Sequence, residues 1–143
     1  MSNIRIFHLI GLLKGLYFHI PIFTFFLLAS HVSLSAVVVS QVFYSCFVFI
    51  GEVPTGIFAD RFGQKTSIIF GYILEAIGIA FVVLFPTTIG LYVAYSLRGV
   101  AGSLLSGSEE ALIFESVKQA GTNNFQKIYG HFLSNEQIGF IVS

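Results

Sequence analysis

The chain has 143 residues, of which 55% are hydrophobic and 10% are charged, and its mean hydropathy is +0.87. A soluble globular domain carries roughly 25% charged residues, so this composition excludes an ordinary soluble domain and indicates a membrane protein. Seven Lys and Arg residues balance seven Asp and Glu residues, which excludes the strongly basic chain typical of nucleic-acid-binding proteins.

Hydrophobic runs predict a bundle of transmembrane helices. A bilayer core of about 30 Å needs about 20 helical residues to cross it, and four runs are long enough. Because no period-two alternation appears in them, helices rather than strands are predicted. The predicted spans are 6–28, 36–58, 68–85 and about 89–112. The polar breaks between them are short, so neighbouring helices should run antiparallel.

The first run is predicted to be a retained span, because it is too long for a signal-peptide core and contains Lys14. The loops give its orientation. Lysines and arginines outside the spans all fall on one side of the predicted membrane: Arg5, Arg61, Lys65, Lys118 and Lys127. By the positive-inside rule this side is cytoplasmic, so we expect a multi-pass protein of the cell membrane with a cytoplasmic N-terminus.

Apolar character rises again from about residue 130. The last fourteen residues would form a helix of only about 21 Å. One interpretation is an incomplete fifth span. The other is an amphipathic helix that lies on the membrane surface.

Charge is concentrated between the second and third spans, in the stretch GIFADRFGQK at residues 56–65. Gly56 allows a neighbouring helix backbone to approach closely, and Gly63 permits a sharp reversal of the chain. The carboxylate of Asp60 is suited to receive the N-terminus of another helix.

This stretch resembles the cytoplasmic loop signature of the major facilitator superfamily of secondary transporters, Gly-x-Leu-Ala-Asp-Arg-x-Gly-Arg-Lys. The matching residues are Gly56, Ala59, Asp60, Arg61, Gly63 and Lys65, whereas Gln64 replaces an arginine. The fourth span is similar to the helix-four motif of the family through Arg98 and Gly102, although Ala101 stands where the family has glutamine.

The resemblance implies an all-α membrane protein: a polytopic helix bundle that forms part of the N-terminal half of a twelve-helix fold. In that family the substrate site lies between the two halves. Asp60 would contact a helix of the second half, in the C-terminal helices that this chain does not include. The implied function is secondary transport of a small molecule, with protons as coupling ion and drug or small-molecule efflux as one direction. No cofactor is implied.

Four of the ionisable residues within the predicted spans are functional candidates, because placing such a side chain inside a span costs about 2.5 to 3.5 kcal/mol. Arg98 and Lys14 lie near mid-span, where they either bind an anionic substrate or pair with Glu75 and Glu52. Glu75 is either a proton-coupling group or a structural partner. Glu52 lies near the cytoplasmic end of its span and is interpreted as a gate-end group.

Two other classes of protein are alternatives to a transporter. A short membrane protein that associates without transporting, such as a remnant reading frame or an accessory subunit, remains the main alternative. An intramembrane hydrolase would need a serine with a histidine base or two aspartates, and Asp60 is the only aspartate. We therefore expect no enzymatic activity. The four histidines lack the spacing of a metal site, so no metal is expected.

Overall fold

The computed structural model describes residues 19–119 and 125–142, and nearly all of them are helical. Its helices are α1 (His19–Ala29), α2 (Leu34–Phe62), α3 (Gln64–Leu84), α4 (Thr88–Gln119) and α5 (Phe125–Val142). Residues Phe23–Glu109 form one compact unit, and residues 19–22, 110–119 and 125–142 belong to a second unit.

The helices occur where the hydrophobic runs predict them. Among the described residues, α2 and α3 are the helices that are long and apolar enough to cross a membrane, by length and composition. Although α4 is the longest helix, Arg98 and the small and polar residues that follow it make α4 less apolar. Helix α1 is the end of the first predicted span, and the rest of that span lies outside the described residues.

The turn between α1 and α2 has the geometry of a Schellman motif. His31 has a positive φ of 62°, its N–H donates to the Leu28 carbonyl at 3.1 Å, and the N–H of Val32 donates to the Leu27 carbonyl at 3.0 Å. Ser33 then caps α2 by accepting a hydrogen bond from the N–H of Ala36 at 3.2 Å. These contacts make the connection between α1 and α2 short.

A single residue, Gly63, separates α2 from α3. Its φ of 90° is unfavourable for any residue with a Cβ, and its N–H donates to the Ala59 carbonyl at 2.8 Å. The expectation that Gly63 reverses the chain is therefore confirmed.

The core of the larger unit lies at the end where α1 meets α2 and α3 meets α4. Its buried residues come from all four helices and the first turn: Leu27, Val32, Ala36, Val82, Leu91, Ala94 and Tyr95. This cluster holds α4 against the two apolar helices.

Helix α4 approaches α2 closely because glycines line the contact. A Cβ at Gly99 would lie 2.5 Å from the carbonyl oxygen of Tyr44, and one at Gly102 would lie 2.7 Å from the Tyr44 hydroxyl. Small residues allow such approach between membrane helices. The buried hydroxyl of Thr55 then reaches across and donates to the carbonyl of Ser103 at 3.1 Å.

On another face, α4 packs against α3 in the same manner. A Cβ at Gly71 would lie 2.7 Å from Cγ of Leu105. The buried hydroxyl of Ser67 donates to the carbonyl of Leu104 at 2.9 Å. Hydroxyl groups from two neighbouring helices therefore bind successive carbonyls of α4, which fixes its rotation relative to both.

Gly99→Ala is expected to destabilise the protein by about 1 to 3 kcal/mol, because the added methyl group overlaps the backbone of α2. Gly107 in the same helix is the matched control, since a Cβ there meets nothing within 4 Å. Gly107→Ala should leave stability unchanged or raise it, because alanine favours helix by about 1 kcal/mol. Thermal unfolding in detergent would compare the two variants, and equal melting temperatures would contradict the close α2–α4 contact.

In the second unit, the last turns of α4 pack against α5. Ile113 and Val117 of α4 form a small buried cluster with Phe132 of α5, against which Tyr129 packs. Both interpretations of the final residues, a fifth span or a surface helix, require a helix here, and α5 supplies it without distinguishing them.

Candidate functional site

Arg98 of α4 and Glu75 of α3 form an ion pair in the larger unit. Nε and Nη2 of Arg98 each lie 2.7 Å from Oε1 of Glu75. The two side chains are 19% and 26% exposed, respectively. The guanidinium carbon also lies 5.2 Å from the centroid of the Tyr95 ring, a distance at which a cation is attracted to the ring face. Of the two arrangements that the sequence left open for Arg98, the structure has the ion pair between neighbouring helices.

The pairing depends on a glycine that the sequence analysis did not single out. Gly78 lies one turn beyond Glu75 on α3, and a Cβ there would lie 2.5 Å from Cγ of Arg98. The aliphatic part of Arg98 therefore crosses α3 at Gly78 on its way to Glu75. A pattern of Glu followed three residues later by Gly in an apolar helix is the signal that could have indicated this crossing.

Arg98 and Gly102, the residues of the helix-four motif, contact different helices. Arg98 is directed to Glu75 of α3, whereas Gly102 lies against Tyr44 of α2. The four-residue spacing thus serves two interfaces of α4: a charged contact with α3 at Arg98 and a close contact with the Tyr44 side chain of α2 at Gly102.

Residues of the loop motif surround the turn between α2 and α3. Asp60, Arg61 and Lys65 are exposed, and none of them forms a salt bridge with another described residue. Ala59 is buried, while a Cβ at Gly56 would meet nothing within 4 Å. The charged groups of the turn are therefore available to a partner beyond the described contacts.

Gln64, which departs from the loop motif, starts α3. Its side-chain oxygen Oε1 is buried and accepts no hydrogen bond from the described residues. A buried acceptor without a donor costs about 1 to 3 kcal/mol. From the sequence, Gln64 is only the replacement of an arginine in the loop signature. Nothing in the sequence indicates that its side-chain oxygen is buried.

Glu52 and Lys14 are the remaining candidate residues. Glu52 is exposed on α2. Lys14 lies outside the described residues. Among the described residues, no three His, Cys, Asp or Glu side chains come together as a metal site requires.

A further contact between α3 and α4 was not predicted. The hydroxyl of Tyr72 donates to Oε1 of Glu109 at 3.0 Å. Tyr72 lies one turn before Glu75 in α3, so this bond and the ion pair join the same two helices at two levels.

No protein-family model matches the chain, and no solved structure matches it. The chain is 32% identical over 76 residues to a protein of Buchnera aphidicola subsp. Schizaphis graminum (strain Sg) named "Uncharacterized transporter". The match covers 53% of this chain and 19% of that protein, so the chain spans only a small part of its relative's length. The relative and the two membrane-length helices together indicate that this chain is a helical membrane protein.

Proposed function

We propose that the chain is part of a secondary transporter of the major facilitator superfamily that moves a small molecule across the cell membrane. The observation that carries the proposal is the turn at Gly63. It joins two helices of membrane length and leaves Asp60, Arg61 and Lys65 exposed at their shared end. The resemblance of this turn to the family's loop signature and the name of the Buchnera relative support the proposal.

In this proposal, the charged turn is a cytoplasmic gate. Asp60 contacts the N-terminus of a helix from the C-terminal part of the same transporter and holds the cytoplasmic side closed while the outer side is open. Release of this contact allows one helix bundle to rock against the other around a central site. The bilayer surrounds the apolar helices, and the protein is not an enzyme.

Protons are the proposed coupling ion, and expulsion of drugs or other small molecules is the proposed direction. The Glu75–Arg98 pair is the site at which a proton and a substrate would bind, because it places a carboxylate and a cation together inside apolar helices. Lys14 and Glu52 are further candidates for the same pathway.

The proposed orientation has the N-terminus in the cytoplasm. A membrane-impermeant maleimide should then label Ser33→Cys in intact cells, in a background where Cys46 is replaced by serine, and should leave Lys65→Cys unlabelled until the cells are opened. The opposite labelling pattern would reverse the orientation.

Transport is tested by proton movement in inverted membrane vesicles from cells that express the gene product containing these residues. Respiration acidifies the vesicles, and a fluorescent weak base reports the pH gradient. Ethidium, benzoate or glucose should change the gradient if its movement is coupled to that of protons, while vesicles without the protein should not respond. A response to none of them would contradict proton-coupled transport of these compound classes and would favour a membrane protein that associates without transporting.

A further inference from the structure

The Glu75–Arg98 pair leaves hydrogen-bonding capacity on both side chains. Nε and Nη2 of Arg98 share one carboxylate oxygen, Oε1, whereas a fork-to-fork pair uses both oxygens. Oε2 of Glu75 and Nη1 of Arg98 form no hydrogen bond with any described residue. Because the two side chains keep 26% and 19% of their exposure, the described residues do not enclose the pair completely.

We infer that this pair binds a small organic carboxylate together with one proton, an inference that rests on the proposed transport function. The incoming carboxylate forms two hydrogen bonds with the guanidinium fork of Arg98, and the contact between Arg98 and Glu75 breaks. A proton from the buffered solution passes to the released Glu75 carboxylate. One negative charge and one positive charge enter together, so the net charge of the site stays at zero.

A carboxylate is favoured over other ligand classes by the chemistry of the pair. The planar guanidinium matches a carboxylate with two parallel hydrogen bonds, which a sugar hydroxyl or an organic cation does not supply. A doubly charged phosphate would leave one negative charge uncompensated in apolar surroundings, at high cost.

We assign proton uptake to Glu75 because of the groups that surround the ion pair. Arg98 and Tyr95 face the pair from α4, and Tyr44 faces Arg98 from α2. Glu75 is the carboxylate among these described groups. When a ligand takes its place on Arg98, Glu75 loses its counter-charge, and proton binding removes the unpaired charge.

The test uses benzoate as the probe and benzamide, which has the same ring without the charge, as the control. Binding to the purified protein is measured by titration calorimetry near pH 7 in two buffers with different heats of ionisation, which gives the number of protons taken up per ligand. We expect one proton per benzoate and no benzamide binding. Arg98→Lys should weaken benzoate binding at least about tenfold, since a lysine cannot form the two parallel hydrogen bonds.

Variants at Glu75 separate proton uptake from a structural role. Glu75→Gln should bind benzoate without taking up a proton, and Glu75→Asp, which keeps the carboxylate, should still take up one. Absence of benzoate binding, binding without proton uptake by the unaltered protein, or equal binding of benzamide would overturn the inference. If ethidium still dissipates the vesicle gradient in that case, transport stands and only the carboxylate assignment fails.

Discussion

Arg98→Gln is expected to lower the free energy of unfolding by about 3 kcal/mol, because it leaves the Glu75 carboxylate without its counter-charge between two helices. This value is the low end of the range for breaking a buried ion pair, since both side chains retain partial exposure. The variant also loses the contact of the guanidinium with Tyr95 and the packing of the arginine stem over Gly78.

The double variant Arg98→Gln with Glu75→Gln tests the cause of this loss. Two amides can hydrogen-bond to each other and leave no isolated charge, so the double variant should be more stable than Arg98→Gln alone. Unfolding by added SDS in mixed micelles provides the comparison. Lys65→Gln, in the exposed turn, is the matched control and should change stability by less than about 0.5 kcal/mol. If the stability losses of Arg98→Gln alone and Glu75→Gln alone add up to the loss of the double variant, the two side chains are not coupled, which would contradict the ion pair.

Hydropathy predicted the positions of α2, α3 and α4 but not their ends. The apolar run of the second span stops near residue 58, whereas α2 continues to Phe62, because a helix ends where its backbone bonds are capped rather than where it leaves the membrane. That cap was also predictable: Gly63 is the residue that tolerates the positive φ of the turn.

The sequence restricted the partner of Arg98 to a few carboxylates without selecting one. Selection depends on the rotation and register of α3 against α4, which are set by contacts distant in sequence. Gly78 allows the arginine stem to cross, and the bond from Ser67 to the Leu104 carbonyl fixes the two helices. Hydrophobic periodicity says little about rotation in a helix that is apolar on every side.

The contact between α2 and α4 was not predicted for the same reason. Gly99 and Gly102 are two of 14 glycines, and nothing local to them indicates that both face Tyr44. The sequence analysis assigned Gly102 to a family motif, whereas its contact shows a packing role within this chain. A residue that matches a family motif can therefore be required for helix packing, which the motif alone does not reveal.

Asp60→Asn is expected to slow transport by the full transporter about fivefold to thirtyfold. In the proposed gate, the carboxylate stabilises the N-terminus of a partner helix, and such interactions contribute up to about 2 kcal/mol in favourable geometries. Asparagine keeps the shape and part of the hydrogen bonding but removes the charge. Because Asp60 is exposed and forms no salt bridge with the described residues, the substitution should leave α2 and its turn intact.

Two controls separate a gate from a folding effect. The Ser33→Cys reporter should be labelled from outside equally with and without Asp60→Asn, which would show that the helices still insert in the same orientation. Glu110→Gln removes another exposed carboxylate, on α4, and should leave the transport rate unchanged. If Asp60→Asn transports at the wild-type rate while both controls behave as expected, the charge of Asp60 has no part in closing the cytoplasmic side. If transport falls and labelling falls with it, the turn acts in assembly instead, because a gate contact is made only after the helices have inserted.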